Sequence, residues 1–273
     1  MDRNQQRALA ILTVVALAGI IFLPTMKWLI QSWLGNPYYS HGFLVPVIAG
    51  YLIWRRRNVP VQPWNAGLGI VILGVALHII SVPWRLHLVS AAGLMVVIVG
   101  LILTFVGCQA VKRWAFPLAF LSTMIPLPFV ERFSPPLEAF VARYAVMFIR
   151  PLGVAATAIG SQVRLASAAF TVGAPCSGLR SIVALLTLTV LFIYIVRGPW
   201  WGKVVLLVAA FPIAMAANLV RVSSLFFVAA NLGTDAGLRY YHTLSSPTLF
   251  LVAVGLLLLT SRTVRCHAIR TDI

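Results

Sequence analysis

Acidic residues are almost absent: five Asp and Glu stand against 21 Lys and Arg in 273 residues, and charged residues make up only 10% of the chain. A soluble domain of this size needs far more polar surface than that, which excludes an ordinary water-soluble fold. Cysteine is scarce too. Cys108, Cys176 and Cys266 lie far apart and form no C-x-x-C pair, which excludes a disulfide scaffold and disfavours a cysteine-based zinc knuckle. His78 and His87 have no H-E-x-x-H context, and no metal or other cofactor is expected. No Ser/Pro-rich linker or internal repeat divides the chain, so a single integral membrane domain over residues 1–273 is the simplest organisation.

What is present is apolar: 61% of the residues are hydrophobic. Repeated stretches approach the roughly 20 residues that cross a bilayer. The fold class expected is an all-α polytopic membrane protein with about eight transmembrane helices, near 8–24, 42–54, 67–83, 88–106, 114–127, 178–196, 204–224 and 243–260. The first segment follows a charged start and has no clear small-residue cleavage site, so it reads as a membrane helix and not a removable signal peptide. The net charge of +16 is spread over the ends of these segments, which argues for topology determinants and against nucleic-acid binding. With the N-terminus in the cytoplasm, Arg55–Arg57, Lys112 with Arg113, Arg197 with Lys203, and the tail from Arg262 to Arg270 all fall inside. Both termini are then cytoplasmic.

The same topology puts residues 128–177 on the outer side as an interfacial or re-entrant segment. Prolines at 126, 128, 135 and 136 interrupt its start, 137–149 is amphipathic, and 161–174 alternates as extended or hairpin structure does. This segment leads into "GAPCSGLRS" (173–181). Cys176 sits just before the sixth span; Arg221, after a rise of about 25 Å from Lys203, and His242, just before the eighth span, reach the same outer boundary. A thiol, a guanidinium and an imidazole at one depth suit covalent acyl chemistry. A thiolate is favoured beside a cation or a helix N-terminus, imidazole moves the proton, and Arg221 holds a thiolate, oxyanion or carboxylate. Asn218 shares a helical face with Arg221, Ser177 is placed to cap the sixth span, and Gly178 offers a thin backbone for a peptide to approach. Arg180, one turn into the span, and His41, in "SHG" at the outer end of the second span, are weaker candidates. The glycine beside His41 suggests a tight turn.

Read in order, "YYSHGFLVPVIAGYLIWRRR" (38–57), "FPLAFLSTMIPLP" (116–128), "PCSGLRS" (175–181), "NLVRV" (218–222) and "YYHTL" (240–244) resemble the exosortase/archaeosortase family of membrane transpeptidases. The resemblance runs from about residue 28 to 260. It implies an inner-membrane thiol enzyme with Cys176, Arg221 and His242 as its catalytic residues. It also implies a substrate class: exported proteins with a C-terminal PEP-CTERM-type tail, made of a Pro-Glu-Pro-type motif, a membrane helix and a basic cluster. The histidine fits the bacterial branch, since archaeal relatives tend to have arginine there. Arg143, Arg150, Arg164 and Arg180 are then placed to receive the motif's glutamate, or alternatively lipid headgroups, Glu131 or Glu138. A departure follows His242, where Ser245, Ser246 and Pro247 stand in a turn expected to contain glycine.

The competing classes are a transporter or a structural subunit of an export or polysaccharide-assembly system. An intramembrane serine protease is disfavoured, because no Ser–His pair is visible in adjacent spans with a G-x-S-x-G context. The substrate protein, the acceptor nucleophile and the oligomeric state are open.

Overall fold

The computed structural model describes residues 3–166, 168–240 and 245–270. It is 77% helical, with twelve α-helices among the described residues and two small sheets that the all-α class leaves out. It divides into two compact units, the first ending at Leu127 and the second beginning at Pro128.

The first unit opens with α1 (Arg3–Ile21) and α2 (Leu23–Gly35); Pro24 in the first turn of α2 has no N–H to continue α1. From Leu9 onward these two form an apolar pair bent by 63°. A 3-10 turn (Pro37–Phe43) leads to α3 (Leu44–Arg55), and it starts where Asn36 Oδ1 accepts the Tyr38 N–H at 3.0 Å. Gly42 is there for packing, not for a turn: a Cβ would run into the Trp33 ring, whose Nε1 donates to the Met124 carbonyl at 2.9 Å. α4 (Gly67–Ser81) and α5 (His87–Phe105) form a close hairpin, followed by α6 (Cys108–Arg113) and α7 (Ala115–Leu121). Gly74 and Gly93 meet backbone to backbone, since a Cβ on either would lie 2.7 Å from the carbonyl oxygen of the other.

The α4–α5 hairpin also holds a polar cluster. Ser90 Oγ lies 2.7 Å from His78 Nδ1, and Thr25 of α2 bonds to Ser90 while its hydroxyl stands 3.4 Å from the same nitrogen. All three residues are at most 5% exposed, and the fully buried Phe22 packs on the imidazole. A buried Ser–His pair therefore does exist in adjacent helices, outside the G-x-S-x-G context that the sequence reading looked for. Its context "LVSAA" is not G-x-S-x-G, and its groups satisfy one another. His87 stacks on Trp28.

In the second unit the prolines begin a helix instead of breaking one. α8 (Ser134–Ile149) has Pro135 in its first turn, where no N–H bond is forfeited, and buries Val141, Ala142, Ala145, Val146 and Ile149 along one face. The expected amphipathic helix thus extends three residues further back. β1 (Ala156–Ile159), β2 (Gln162–Leu165) and β3 (Ala169–Thr171) follow as an antiparallel sheet in that order. Gly160, at φ +58°, makes the tight β1–β2 turn. The sheet is two-faced: Ala156, Val163 and Leu165 join the core, while Thr157, Arg164 and Ala169 are exposed. Extended structure in 161–174 follows from the alternation; β1 was not foreseen.

α9 (Leu179–Ile195), α10 (Trp200–Leu232), α11 (Thr234–Tyr240) and α12 (Ser246–Thr263) complete the unit, and the chain end closes it by pairing β4 (Val196–Arg197) with β5 (Ala268–Ile269). α10 is the spine, packing against α8, α9, α11 and α12. It is continuous through Pro212 and much longer than the expected 204–224.

Among the described residues, α5 and α10 are each long and apolar enough to cross a membrane, and the bent α1–α2 pair counts as a third. Helices at 67–81, 115–124, 179–195 and 247–263 are apolar but shorter, and α3 has twelve residues. A helix of that length spans about 18 Å against a hydrocarbon core of about 30 Å. Length and apolarity therefore support two or three crossings, and the expected eight are not reached.

Candidate active site around Cys176

Cys176 ends a 3-10 turn (Ala174–Cys176) in which its N–H bonds the Gly173 carbonyl at 2.8 Å. The side chain is half-buried against the core. Ser177 is fully buried; its hydroxyl donates to the Ala174 carbonyl at 2.8 Å and accepts from the Leu179 N–H at 3.3 Å. It ties the turn to the first residue of α9. The N-cap position itself belongs to Gly178, not Ser177.

Gly178 has φ +82°, a left-handed conformation that favours glycine. The space over its α-carbon is occupied. A Cβ there would lie 2.7 Å from Asn218 Nδ2 and 2.9 Å from Asn218 Cγ, so this glycine admits Asn218 and is not an open approach for a substrate backbone. The same Nδ2 donates to the Cys176 carbonyl at 2.9 Å. Asn218 is 2% exposed, and its Oδ1 has no hydrogen-bond partner among the described residues.

One turn along α10 is Arg221, 7% exposed in a mostly apolar core. Ala214, Ala217, Asn218 and Arg221 line one wall of a narrow cleft, with Ser181 of α9 and Leu249, Phe250 and Ala253 of α12 opposite. The cleft is tight, with a cavity volume of about 10 Å³. Alanines at 214 and 217 keep the wall beside the two polar side chains low. A buried guanidinium on the same cleft as an amide oxygen that has no partner among the described residues can hold an anion while that oxygen orients an N–H donor.

The structure therefore joins Cys176, Ser177, Gly178 and Asn218 directly, and puts Asn218 and Arg221 on one cleft. Arg180 is exposed at the second residue of α9 and does not line that cleft. His242 lies outside the described residues. His41 belongs to the first unit, where its half-buried ring bonds the backbone of Thr123 and Tyr38. Ser181 and the α12 wall were missed by sequence reasoning. Ser181 stands in the quoted "PCSGLRS", so the motif itself carried a signal; Leu249, Phe250 and Ala253 are ordinary helix residues and carried none.

Burial holds the His41 pKa below its ordinary 6.5, because desolvation disfavours the imidazolium more than the two backbone bonds favour it. The unfolded chain then binds the proton more readily than the folded one. The stability this contributes is complete above pH 6.5 and is lost as pH falls through the lower folded value. Melting temperature in detergent should drop on acidification below 6.5, with a shallower drop in His41→Gln. Equal slopes in the two proteins would remove His41 as the cause.

The description "Transmembrane exosortase" (Exosortase_EpsH) belongs to a family that matches residues 33–259. No match was found among curated proteins or among solved structures. The matched stretch contains each of the five sequence motifs, from the Tyr-Tyr-Ser-His-Gly segment through Cys176 and Arg221 to Tyr240–Leu244, and covers most of the chain; the protein belongs to the transmembrane exosortase family.

Proposed function

We propose that this protein is a membrane cysteine peptidase or transpeptidase that cleaves exported proteins at a C-terminal PEP-CTERM-type tail and sorts them. Members of the family are in general cysteine transpeptidases or proteases. In this reading the enzyme works in the cytoplasmic (inner) membrane of a bacterium, with its site on the outer side, where a secreted protein still tethered by its tail presents the scissile bond. Its partners are such tails and membrane lipids, and nucleic acid is not among them.

The reading rests on one observation above the others: Asn218, one helical turn from Arg221, binds the Cys176 carbonyl at 2.9 Å. The cysteine turn is thereby held to the helix that carries the arginine. His242 takes the Cys176 thiol proton, the sulfur attacks the peptide carbonyl carbon, and Arg221 stabilises the thiolate before the attack or the oxyanion after it. The C–N bond breaks as His242 gives a proton to the departing amine. His242 then takes a proton from water or an acceptor amine, which attacks the thioester and releases the sulfur.

Hydroxylamine tests this directly. Purified enzyme mixed with a tail-bearing substrate and quenched with hydroxylamine should yield substrate ending in a hydroxamate, detected by intact mass. Cleavage with only free carboxyl ends, under conditions where a control thioester is captured, would count against an acyl-enzyme.

A further inference from the structure

β3 is the last strand before the cysteine, and its outer edge is open. Its pairing with β2 runs Gln162↔Thr171, Val163↔Phe170 and Arg164↔Ala169. Flanking bonds fix which groups point where: the Leu165 N–H reaches the Ala168 carbonyl at 2.7 Å, and the Val172 N–H reaches the Ser161 carbonyl at 2.8 Å. Along a strand, successive residues direct their backbone groups to opposite edges. Residues 168, 170 and 172 therefore face β2, and the N–H and C=O of Ala169 and Thr171 face away from it. Among the described residues none of these four groups has a partner, and both residues are exposed. The other edge of the sheet differs, because Arg150 Nε donates to the Ala156 carbonyl of β1 at 2.9 Å. That edge carries one side-chain bond, and the β3 edge carries none among the described residues. The open one leads in five residues to Cys176, a stretch of at most about 17 Å.

Charge indicates what fits there. Cross-strand partners share a face, so Thr157, Arg164 and Ala169 lie in one row on the exposed side. Arg150 and Arg164 line a groove beside that row, and no carboxylate is among the lining residues. A strand added to β3 would bring a residue opposite Ala169 onto this same face. Its backbone would stand about 10 Å from that of Arg164. Only the Ala169 methyl lies between them, so an extended arginine and an acidic side chain can meet across it.

We propose that the substrate's segment at the scissile bond docks as a fourth strand on the open edge of β3, an extended peptide with one acidic residue on the Arg164 face. The proposal rests on the cysteine-enzyme reading and adds to it how the peptide is held. Backbone bonds to Ala169 and Thr171 give affinity and direction, and the arginine selects charge.

The test uses the full-length Cys176→Ala protein in detergent with a synthetic peptide of the tail segment carrying a single Glu. Fluorescence anisotropy reads binding, and amide hydrogen exchange reads the edge. The peptide should slow exchange at Ala169 and Thr171 about tenfold or more, while Phe170 and Val172 are protected before and after. Thr171→Pro removes an outward N–H without touching the ladder and should weaken binding about tenfold; Thr171→Ala should not. Arg164→Glu should weaken it similarly and recover with a Glu→Lys peptide. Binding without protection of the two amides, Thr171→Pro binding as tightly as Thr171→Ala, or no binding by protein whose Phe170 and Val172 amides stay protected would each overturn the docking. Because binding needs no thiol, these results are independent of the cysteine chemistry, which fails separately if Cys176→Ala still processes the intact substrate.

Discussion

Cys176→Ala is expected to take tail processing down by about 10⁴-fold or more, below detection in a gel-shift assay, with the protein still folded. Deleting the nucleophile of a covalent mechanism leaves no second route of comparable rate, because the remaining groups can only polarise the carbonyl. Stability should change little. The turn is held by backbone groups of Gly173, Ala174 and Cys176 and by the hydroxyl of Ser177, none of which the substitution touches. The substitution removes a half-buried sulfur. Cys176→Ser separates nucleophile from volume and should be nearly as inactive, since an unactivated hydroxyl is a far poorer nucleophile than a thiolate. The measurement is tail processing in cells expressing each variant at matched levels, with melting temperature as the control for folding. Processing by Cys176→Ala at more than about a tenth of the native rate would take the thiol out of the mechanism and return the transporter and structural-subunit readings to first place.

Gly178→Ala should be among the most damaging single-methyl changes in the chain, because two independent penalties fall on one atom. The left-handed backbone costs an alanine about 1–2 kcal/mol. The new methyl would also stand 2.7 Å from Asn218 Nδ2 and 2.9 Å from Asn218 Cγ, an overpacking worth about 1–3 kcal/mol. Asn218 is the group that holds the Cys176 carbonyl, so relief of the clash by moving it loosens the cysteine turn. Activity is therefore expected to fall together with stability. Gly153→Ala isolates the backbone share, since Gly153 has φ +84° with nothing within 4 Å of its Cβ position. The decisive comparison is a thermal-unfolding cycle with Gly178→Ala, Asn218→Ala and the double variant. The double variant should be less destabilised than the sum of the single ones, because truncating Asn218 removes the two closest atoms. Strict additivity, or equal losses at Gly178 and Gly153, would show that Asn218 is not what excludes a side chain at this position.

The long apolar helices were legible because their signal is local. Composition and hydropathy place α4, α5, α9 and α12 within a few residues, and the alternation in 161–174 announces β2 and β3. The inferred topology set Cys176, Arg221 and His242 at one depth, with Asn218 beside Arg221 on the same helical face. α2 was hidden because Pro24 breaks one apolar run into two helices, and a hydropathy window cannot distinguish a bend from a loop. The prolines of 135–136 misled for the related reason that a proline forbids a helix interior but suits a helix start.

Sequence alone determined that the chain is apolar, helical and membrane-bound in class, and which few polar residues stand out within it, because each of these follows from residue type and short-range spacing. Only the tertiary structure decided what those residues do to one another. That Gly178 makes room for Asn218, that Asn218 grips the Cys176 carbonyl from forty-two positions away, that Ser90 meets His78, and that β3 keeps one edge open all depend on which helices and strands become neighbours. Hydrogen bonds and steric exclusion act over a few ångströms in space, and distance along the chain does not report them.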